Sequence, residues 1–267
     1  MRKYEYNLKK DSYDERDFKF SKLIKEKKEP PASEDLRSSY SDIKNQERLG
    51  ACTAFSACSV MEYLLNKNID LSELYFYYKE RELDGSIETD AGSTVRQSAK
   101  VATKFGSCKE EIVPYITSKF ADEPSEDANK DAANHRTKAY YRLNNIDEIV
   151  YTVGILKKPV LIGIDVYESF EQVDYNGYIP IPDIKREKLL GRHAVNICGY
   201  FWIDKTTGLS RLQRLIDFIT RKRIKQKDGL YFIIRNSWGS DFADKGYMYA
   251  PVEFIKNYSF DWWYLDE

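Results

Sequence analysis

The type of local pattern changes near residue 140, and this change constrains the fold more than any other feature of the sequence. Before that point, apolar residues recur at the spacing of buried helix faces. After it, short segments rich in β-branched and aromatic residues follow one another, as is typical of strands. The first half is therefore predicted to be helical and the second half mainly strand.

Three helices and four strands are predicted in detail. Gly50 precedes the first helix, whose first turn holds Cys52, and Gly106 is the expected stop of the third. Asn176-Gly177 is a turn signal that does not by itself establish a hairpin. The predicted helices are Cys52–Asn66, about Leu71–Leu83, and Ser93–Phe105 with Ser93 as its N-cap; the predicted strands are Pro159–Val166, Ala194–Trp202, Leu230–Arg235 and Tyr247–Tyr249.

The overall charge is balanced, with 42 Lys+Arg against 43 Asp+Glu and a formal net charge of -1. No global field therefore directs the chain toward nucleic acid or anionic lipid, and neither a nucleic-acid nor a membrane partner is expected. The longest apolar stretch, Ile197–Ile203, is far shorter than the roughly 18 residues of a spanning helix.

The N-terminus and the cysteines favour an intracellular, reducing compartment. Residues 1–20 are charged and contain no apolar core of a signal peptide. The four cysteines form no C-x-x-C pair, so neither a zinc site nor a dense disulfide framework is indicated. Cys58, Cys108 and Cys198 are expected to be small buried hydrophobic residues.

Cys52 is a candidate nucleophile. A thiol attacks as thiolate, and the unpaired N–H groups and dipole at a helix N-terminus lower the pKa of a cysteine placed there. The chain has only two histidines. His193 lies at the start of a predicted strand, where its ring can be aimed, whereas His135 ends a polar stretch and is expected on a solvated helix face. His193 is thus the better candidate base.

Four blocks of sequence resemble the papain-like cysteine peptidases, of the cathepsin-like type, in the same order as in that family. They cover roughly residues 35–267. The blocks are Gln46–Ala57 around the nucleophile, Asp90–Ser93 as the glycine-bearing substrate loop, Gly191–Tyr200 as the histidine strand, and Arg235–Gly239 as the asparagine block, followed by Lys245–Tyr247.

The resemblance implies an α+β fold with an active-site cleft between a helical lobe, mainly 50–140, and a β-rich lobe, mainly 141–267. It implies a role for each matching residue, with no metal or organic cofactor and with a peptide or protein as substrate. Cys52 would form a thioester acyl-enzyme, His193 would exchange the proton, Asn236 would orient His193 under the cover of Trp238, Gln46 and the Cys52 N–H would bind the oxyanion, and Gly92 and Ala194 would bind substrate.

Three departures from the family accompany this resemblance. Thr53 replaces the aromatic residue that commonly follows the nucleophile, and Leu49 replaces a disulfide cysteine of many secreted members, which points to a non-secreted branch. Asn236 follows Cys52 by 184 residues. This separation is longer than is usual in the family. The additional residues lie in 204–228, which is predicted to be an inserted amphipathic helix with a basic face.

The segment 1–33 is predicted to be a charged N-terminal extension, since Pro30-Pro31 marks a boundary near residue 30 before the domain 34–267. Two interpretations stay open: a short autoinhibitory propeptide, removed near Lys25 to Ala32, or a permanent part of the surface. The predicted activity is hydrolysis of peptide bonds by a cysteine peptidase, with acyl transfer to an amine and a catalytically silent peptide-binding module as the alternatives.

Overall fold

The computed structural model describes residues 4–22, 28–65, 68–203 and 228–267. In these ranges the helices and strands form an α+β fold, as expected. The helices are α1 Cys52–Leu65, α2 Glu73–Asp84, α3 Val95–Lys104, α4 Glu126–Ala132, α5 Ile146–Gly154 and α6 Val252–Tyr258. The strands are β1 Glu34–Asp35, β2 Ala139–Arg142, β3 Val160–Tyr167, β4 Leu189–Ile203, β5 Gly229–Arg235, β6 Tyr247–Pro251 and β7 Ser259–Asp266.

The strands form one antiparallel sheet in the order β2-β7-β3-β4-β5-β6, and β1 pairs with β4 outside this path. β4 is the longest strand and lies between β3 and β5. It carries His193, while Asn236 comes directly after β5. Because Asn196 of β4 pairs with Arg235 at the end of β5, the sheet brings these two segments side by side.

Two apolar clusters lie on either side of the site. One is built from α1, α2 and α3 and includes Cys52, and the other is built mainly from β3, β4, β5 and α6. α1 is buried along nearly its whole length and packs on β4. The nucleophile candidate at its first position is therefore held against the strand that carries His193.

The predicted helices are confirmed, but the cap of the third one differs. Thr94, not Ser93, is the N-cap of α3, and its hydroxyl accepts a hydrogen bond from the Gln97 N–H at 3.1 Å. Ser93 is excluded because its carbonyl accepts from the Lys9 N–H at 2.9 Å and so belongs to a contact with the N-terminal extension. Gly106, with a φ of 76°, ends this helix as expected, and its N–H bonds to the Val101 carbonyl.

The turn predicted at Asn176-Gly177 is confirmed, closed by the Gly177 N–H on the Asp174 carbonyl at 2.9 Å, and Tyr178 after it pairs with Tyr249 of β6. One other local prediction needs correction. His135 does not lie on a solvated helix face. It follows the end of α4, where Nδ1 contacts the Ser107 carbonyl at 3.1 Å.

The predicted basic helix at 204–228 lies outside the described residues, apart from Asp228. Cys58, Cys108 and Cys198 are buried and unpaired, as predicted. Among the helices of the described ranges, none combines the length and apolar character that a membrane crossing requires.

Candidate active site

The His193 ring is fixed by the Asn236 side chain. His193 Nε2 lies 2.7 Å from Asn236 Oδ1, and the same oxygen accepts the Ser237 N–H at 2.8 Å. Since Oδ1 only accepts, Nε2 carries a hydrogen and Nδ1 is the ring nitrogen with a free lone pair in the neutral form. Nδ1 is buried and has no hydrogen-bond partner within the described ranges.

Trp238 covers the histidine. Its ring stacks on His193 with the centroids 4.9 Å apart and an angle of 30° between the planes. His193 is fully buried, and this burial lowers its pKa to about 4, although the hydrogen bond with Asn236 acts in the opposite direction. In the structure described, His193 is therefore neutral at neutral pH.

Cys52 begins α1 and is fully buried. Burial raises the pKa of its thiol to about 12, although hydrogen bonds from the backbone N–H groups of Ala194 and Thr53 favour the thiolate. The low pKa predicted from the helix N-terminus alone is thus wrong for this covered state, because loss of solvent outweighs the helix position. The contact with Ala194 places the thiol beside the residue that follows His193.

Gln46 is held by both ends of its amide. Its Nε2 donates to the Leu49 carbonyl at 3.1 Å, and its Oε1 accepts from the Ser237 hydroxyl at 2.7 Å. The two bonds fix which way the amide points, and they leave one N–H of Nε2 for another acceptor. The Gln46 backbone N–H also donates to the Ser237 carbonyl at 2.9 Å, which connects this loop to the asparagine block.

Several residues that the sequence reading did not single out support these loops. Lys44 Nζ contacts the buried carboxylates of Glu62 and Glu73 at 2.9 and 2.7 Å, two residues before Gln46. Arg235, next to Asn236, donates to the carbonyls of Ser41 and Asp42 at 3.0 and 2.6 Å. A charged residue next to a candidate site residue was the only sequence signal for Lys44 and Arg235.

The substrate-loop block is also built into the site. The Asp90 carboxylate accepts the Gly50 N–H at 3.0 Å and the Tyr77 hydroxyl at 2.5 Å, so it joins this loop to the turn before α1. Gly92 has a φ of 64°, and a Cβ there would lie 2.3 Å from the Asn7 carbonyl oxygen. Only glycine allows such a close approach of another backbone.

The N-terminal extension runs across this site. Tyr4 stacks on Trp238 with the ring centroids 4.2 Å apart and the planes at 8°. The Tyr6 carbonyl accepts the Arg192 N–H at 3.3 Å, and the Asn7 amide donates to the Asp90 carbonyl at 2.9 Å. Leu8 is buried in the same apolar cluster as Ala194. The extension thus covers Cys52, His193 and Gly92 together.

The arrangement contains the groups that acyl transfer through a thiol needs. A cysteine lies at a helix N-terminus against the backbone N–H of Ala194, the preceding residue is a histidine oriented by Asn236, and the Gln46 amide keeps one free N–H. Among the described residues, no group of three or more His, Cys, Asp or Glu side chains is arranged to hold a metal ion.

Comparison with known proteins agrees with this chemistry. The sequence model of the papain family of cysteine proteases matches residues 30–257. An uncharacterized peptidase C1-like protein of Acanthamoeba polyphaga mimivirus is 28% identical over 251 residues, which cover 87% of this chain and 71% of that protein. Cysteine proteinase 3 of Entamoeba histolytica is 24% identical over 82% of this chain, and the match spans only 62% of that relative.

A solved structure extends the similarity to the whole described fold. Xylellain, a cysteine protease from Xylella fastidiosa, superposes with a TM-score of 0.80 at 26% identity, over 100% of this chain and 98% of that one. The papain-like fold predicted from the sequence is therefore confirmed. The chain belongs to the papain family of cysteine proteases and is a papain-like cysteine peptidase of the hydrolase class.

Proposed function

We propose that the chain hydrolyses peptide bonds with Cys52 as nucleophile, His193 as the proton-exchanging group and Asn236 as the residue that orients His193. The observation that carries the proposal is the bond from His193 Nε2 to Asn236 Oδ1. This bond leaves Nδ1 as the nitrogen that can take a proton, on the strand position next to the Ala194 N–H that contacts Cys52.

The reaction then follows from the atoms present. Nδ1 of His193 takes the thiol proton, and Cys52 Sγ attacks the substrate carbonyl carbon. The free N–H of Gln46 and the backbone N–H of Cys52 stabilise the oxyanion, a contribution worth about 10²–10³ in rate per donor. As the C–N bond breaks, Nδ1 returns the proton to the leaving amine, and a thioester on Cys52 remains. Water, deprotonated by the same nitrogen, then attacks the thioester carbonyl carbon, the C–S bond breaks, the acid leaves, and Nδ1 returns the proton to Cys52 Sγ.

We further propose that the N-terminal extension inhibits the enzyme by filling the cleft. In a substrate, the leaving amine must lie near His193, so residues after the scissile bond lie on the side of Trp238. The extension places its earliest described residue, Tyr4, on Trp238 and only later reaches Ser93 through Lys9. Its direction is therefore opposite to that of a productive substrate, which explains why an intact chain would not cleave itself there.

Burial supports the same interpretation. With Cys52 and His193 both fully covered, burial keeps the thiol and the imidazole in their neutral forms, and no peptide can reach Sγ. Once the cleft opens, solvent and the α1 N-terminus favour the thiolate, and His193 can take its proton. Removal near Lys25 to Ala32 is the expected route to the open form.

The test compares the full-length wild type with a full-length variant in which the contacts of the extension are weakened. An epoxide that alkylates papain-like thiolates is added to the wild type and to the double variant Tyr4→Ala/Leu8→Ser, and the adduct is located by peptide mass spectrometry. We expect rapid labelling of Cys52 in the double variant only, together with cleavage of a fluorogenic peptide that Cys52→Ser abolishes.

Tyr13→Ser is the matched control, since Tyr13 lies in the same extension but is 83% exposed. It should behave like the wild type. Equal labelling of Cys52 in the wild type and the double variant would contradict the inhibitory role of the extension. A folded double variant whose Cys52 stays unlabelled would contradict the peptidase site and favour peptide binding without catalysis.

A further inference from the structure

Two arginines flank the indole of Trp263 at the end of the cleft that lies away from Trp238. The Arg96 guanidinium lies 5.6 Å and the Arg142 guanidinium 5.4 Å from the Trp263 ring centroid. Trp263 is fully buried and belongs to the apolar cluster that contains Leu8 and Ala194. Arg96 lies three residues after Ser93, whose carbonyl accepts the Lys9 N–H at 2.9 Å, so the two cations lie further along the path that the extension follows past Gly92.

A carboxylate from the extension is bound in this place. The Asp11 side chain is fully buried. Its Oδ2 accepts from Trp263 Nε1 at 2.8 Å and lies 3.7 Å from Arg142 Nη1, while its Oδ1 accepts the Arg96 backbone N–H at 3.1 Å. Trp263, Arg142 and Arg96 all lie outside the extension, in what is called the body below. Each would lose its contact with Asp11 if the extension left the cleft.

A second carboxylate of the extension completes the arrangement. Asp17 Oδ2 lies 2.7 Å from Arg96 Nη2 and 3.3 Å from Arg142 Nη1. The body itself supplies one acid, Asp261, whose Oδ1 lies 2.8 Å from Arg142 Nη2 and whose Oδ2 accepts the Asp11 N–H at 2.6 Å.

The net charge of this group of side chains changes sign when the extension leaves. With it, two guanidiniums face three carboxylates, those of Asp11, Asp17 and Asp261. Without it, Arg96 and Arg142 face Asp261 alone, and the local excess becomes positive. The Trp263 N–H would also lose its Asp11 acceptor and become available to an acceptor of a bound ligand.

The position along the cleft identifies which part of a substrate would reach this place. Tyr4 lies on Trp238, on the side of the leaving amine, and the chain passes Gly92 at Asn7 before it reaches Asp11. Asp11 therefore lies on the acyl side, where the residues before the scissile bond are bound.

We propose that Arg96, Arg142 and Trp263 form an anion subsite of the open cleft, which takes an acidic side chain of the substrate from the residues before the scissile bond. Asp11 is the internal stand-in for this side chain. The proposal deepens the peptidase function proposed above and rests on it, since it assigns a substrate class, acidic peptides, to the same cleft.

The experiment uses the cleft-opened full-length chain Tyr4→Ala/Leu8→Ser that also carries Asp11→Ala/Asp17→Ala, so that both Cys52 and the subsite are accessible. Peptide pairs that differ only by Glu or Gln at the second, third or fourth residue before the cut are compared by kcat/KM. We expect the Glu peptide to be preferred about tenfold or more at one of these positions, the range of a hydrogen-bonded charge. Adding Arg142→Gln should reduce this preference to about twofold or less.

The same pairs are measured for binding by fluorescence anisotropy on this cleft-opened Asp11→Ala/Asp17→Ala chain with Cys52→Ser added, so that the subsite is tested without catalysis. Should the alanine variant not fold, Asp11→Asn/Asp17→Asn removes the charges at constant shape. Equal kcat/KM and equal binding of Glu and Gln peptides at all three positions would contradict the proposed subsite. The proposed peptidase function would be unaffected by that result. Glu-selective binding without any cleavage would instead overturn the peptidase and retain the subsite.

Discussion

The Asn236 side-chain oxygen bonds to His193 Nε2 at 2.7 Å and to the Ser237 backbone N–H at 2.8 Å. The second bond prevents the amide from rotating, and the first transmits this orientation to the imidazole. Trp238 lies against the ring at a centroid distance of 4.9 Å, so Asn236 and Trp238 together fix the position of the ring, and the Asn236 acceptor fixes its tautomer.

Replacing Asn236 by alanine should therefore lower kcat/KM without unfolding the protein. We expect a loss of about 10²-fold, at the lower end of what a positioned acid or base contributes, because His193 remains but is no longer oriented. The measurement is hydrolysis of a fluorogenic peptide by the cleft-opened chain Tyr4→Ala/Leu8→Ser with and without Asn236→Ala. Asn176→Ala, which removes an exposed asparagine that bonds only to Asp174, should leave the rate unchanged. A similar rate for the Asn236 variant would show that His193 needs no such support.

The covered His193 predicts a pH dependence of stability. Burial lowers its pKa to about 4 from 6.5, so the unfolded chain takes up a proton that the folded chain refuses as the pH falls between these values. Stability should thus decrease on acidification through this window, by about 3 kcal/mol in total from this one group. Thermal unfolding of the full-length chain at several pH values measures it. His193→Gln should lose most of the slope, whereas His135→Gln should keep it; the same slope in both variants would assign the effect to other groups.

Lys44 is predicted to stabilise the fold through two buried acids. Its Nζ is the cation beside Glu62 and Glu73, whose side chains are only 1% and 2% exposed. Lys44→Met would leave the buried side chain of Glu62 without its cation, whereas Glu73 can take up a proton because burial raises its pKa to about 8, and we expect a loss of about 3 kcal/mol in the free energy of unfolding. Urea unfolding monitored by circular dichroism tests this. Lys130→Met, which removes an exposed lysine paired with Glu126, should change stability by less than about 1 kcal/mol. A Lys44 variant as stable as this control would mean that Lys44 contributes nothing to the burial of these two acids.

Much of the fold was predictable because its strongest signals are local. The spacing of apolar residues predicts α1 and α2 to within about two residues at each end, and the β-branched runs predict the centres of β3 and β5. The N-cap of α3 was not predictable, since Ser93 and Thr94 are equally good caps. A contact with Lys9, more than eighty residues away in sequence, uses the Ser93 carbonyl.

The candidate site was likewise predictable only in part. The residue types and order of Gln46, Cys52, His193 and Asn236 were visible in the sequence as blocks. The protonation state of the thiol was not, because it depends on burial under Tyr4 and Leu8, and no periodic pattern marks the path of the extension. The positions of the Asp11 and Asp17 carboxylates near Trp263 were not predictable either, because they also depend on the path of the extension.

Thr53, which stands where an aromatic residue is common in the family, has a structural partner that supports a further prediction. Its hydroxyl donates to Glu80 Oε2 at 2.7 Å, and Ser98 donates to the other oxygen at 2.6 Å. All three side chains are buried, and burial raises the pKa of Glu80 to about 8. The hydroxyl of Thr53 thus connects the residue after the nucleophile to α2.

Thr53→Val keeps the shape of the side chain and removes the donor, so one oxygen of Glu80 loses its buried partner. We expect a loss of about 1–3 kcal/mol in the free energy of unfolding. Because the Thr53 N–H also contacts Cys52 Sγ, the variant should slow epoxide alkylation of Cys52 in the cleft-opened chain as well. Thr53→Ser keeps the hydroxyl and is the matched control, which should restore the alkylation rate. If Thr53→Val were as stable and as reactive as Thr53→Ser, the bond to Glu80 would contribute nothing to positioning the nucleophile.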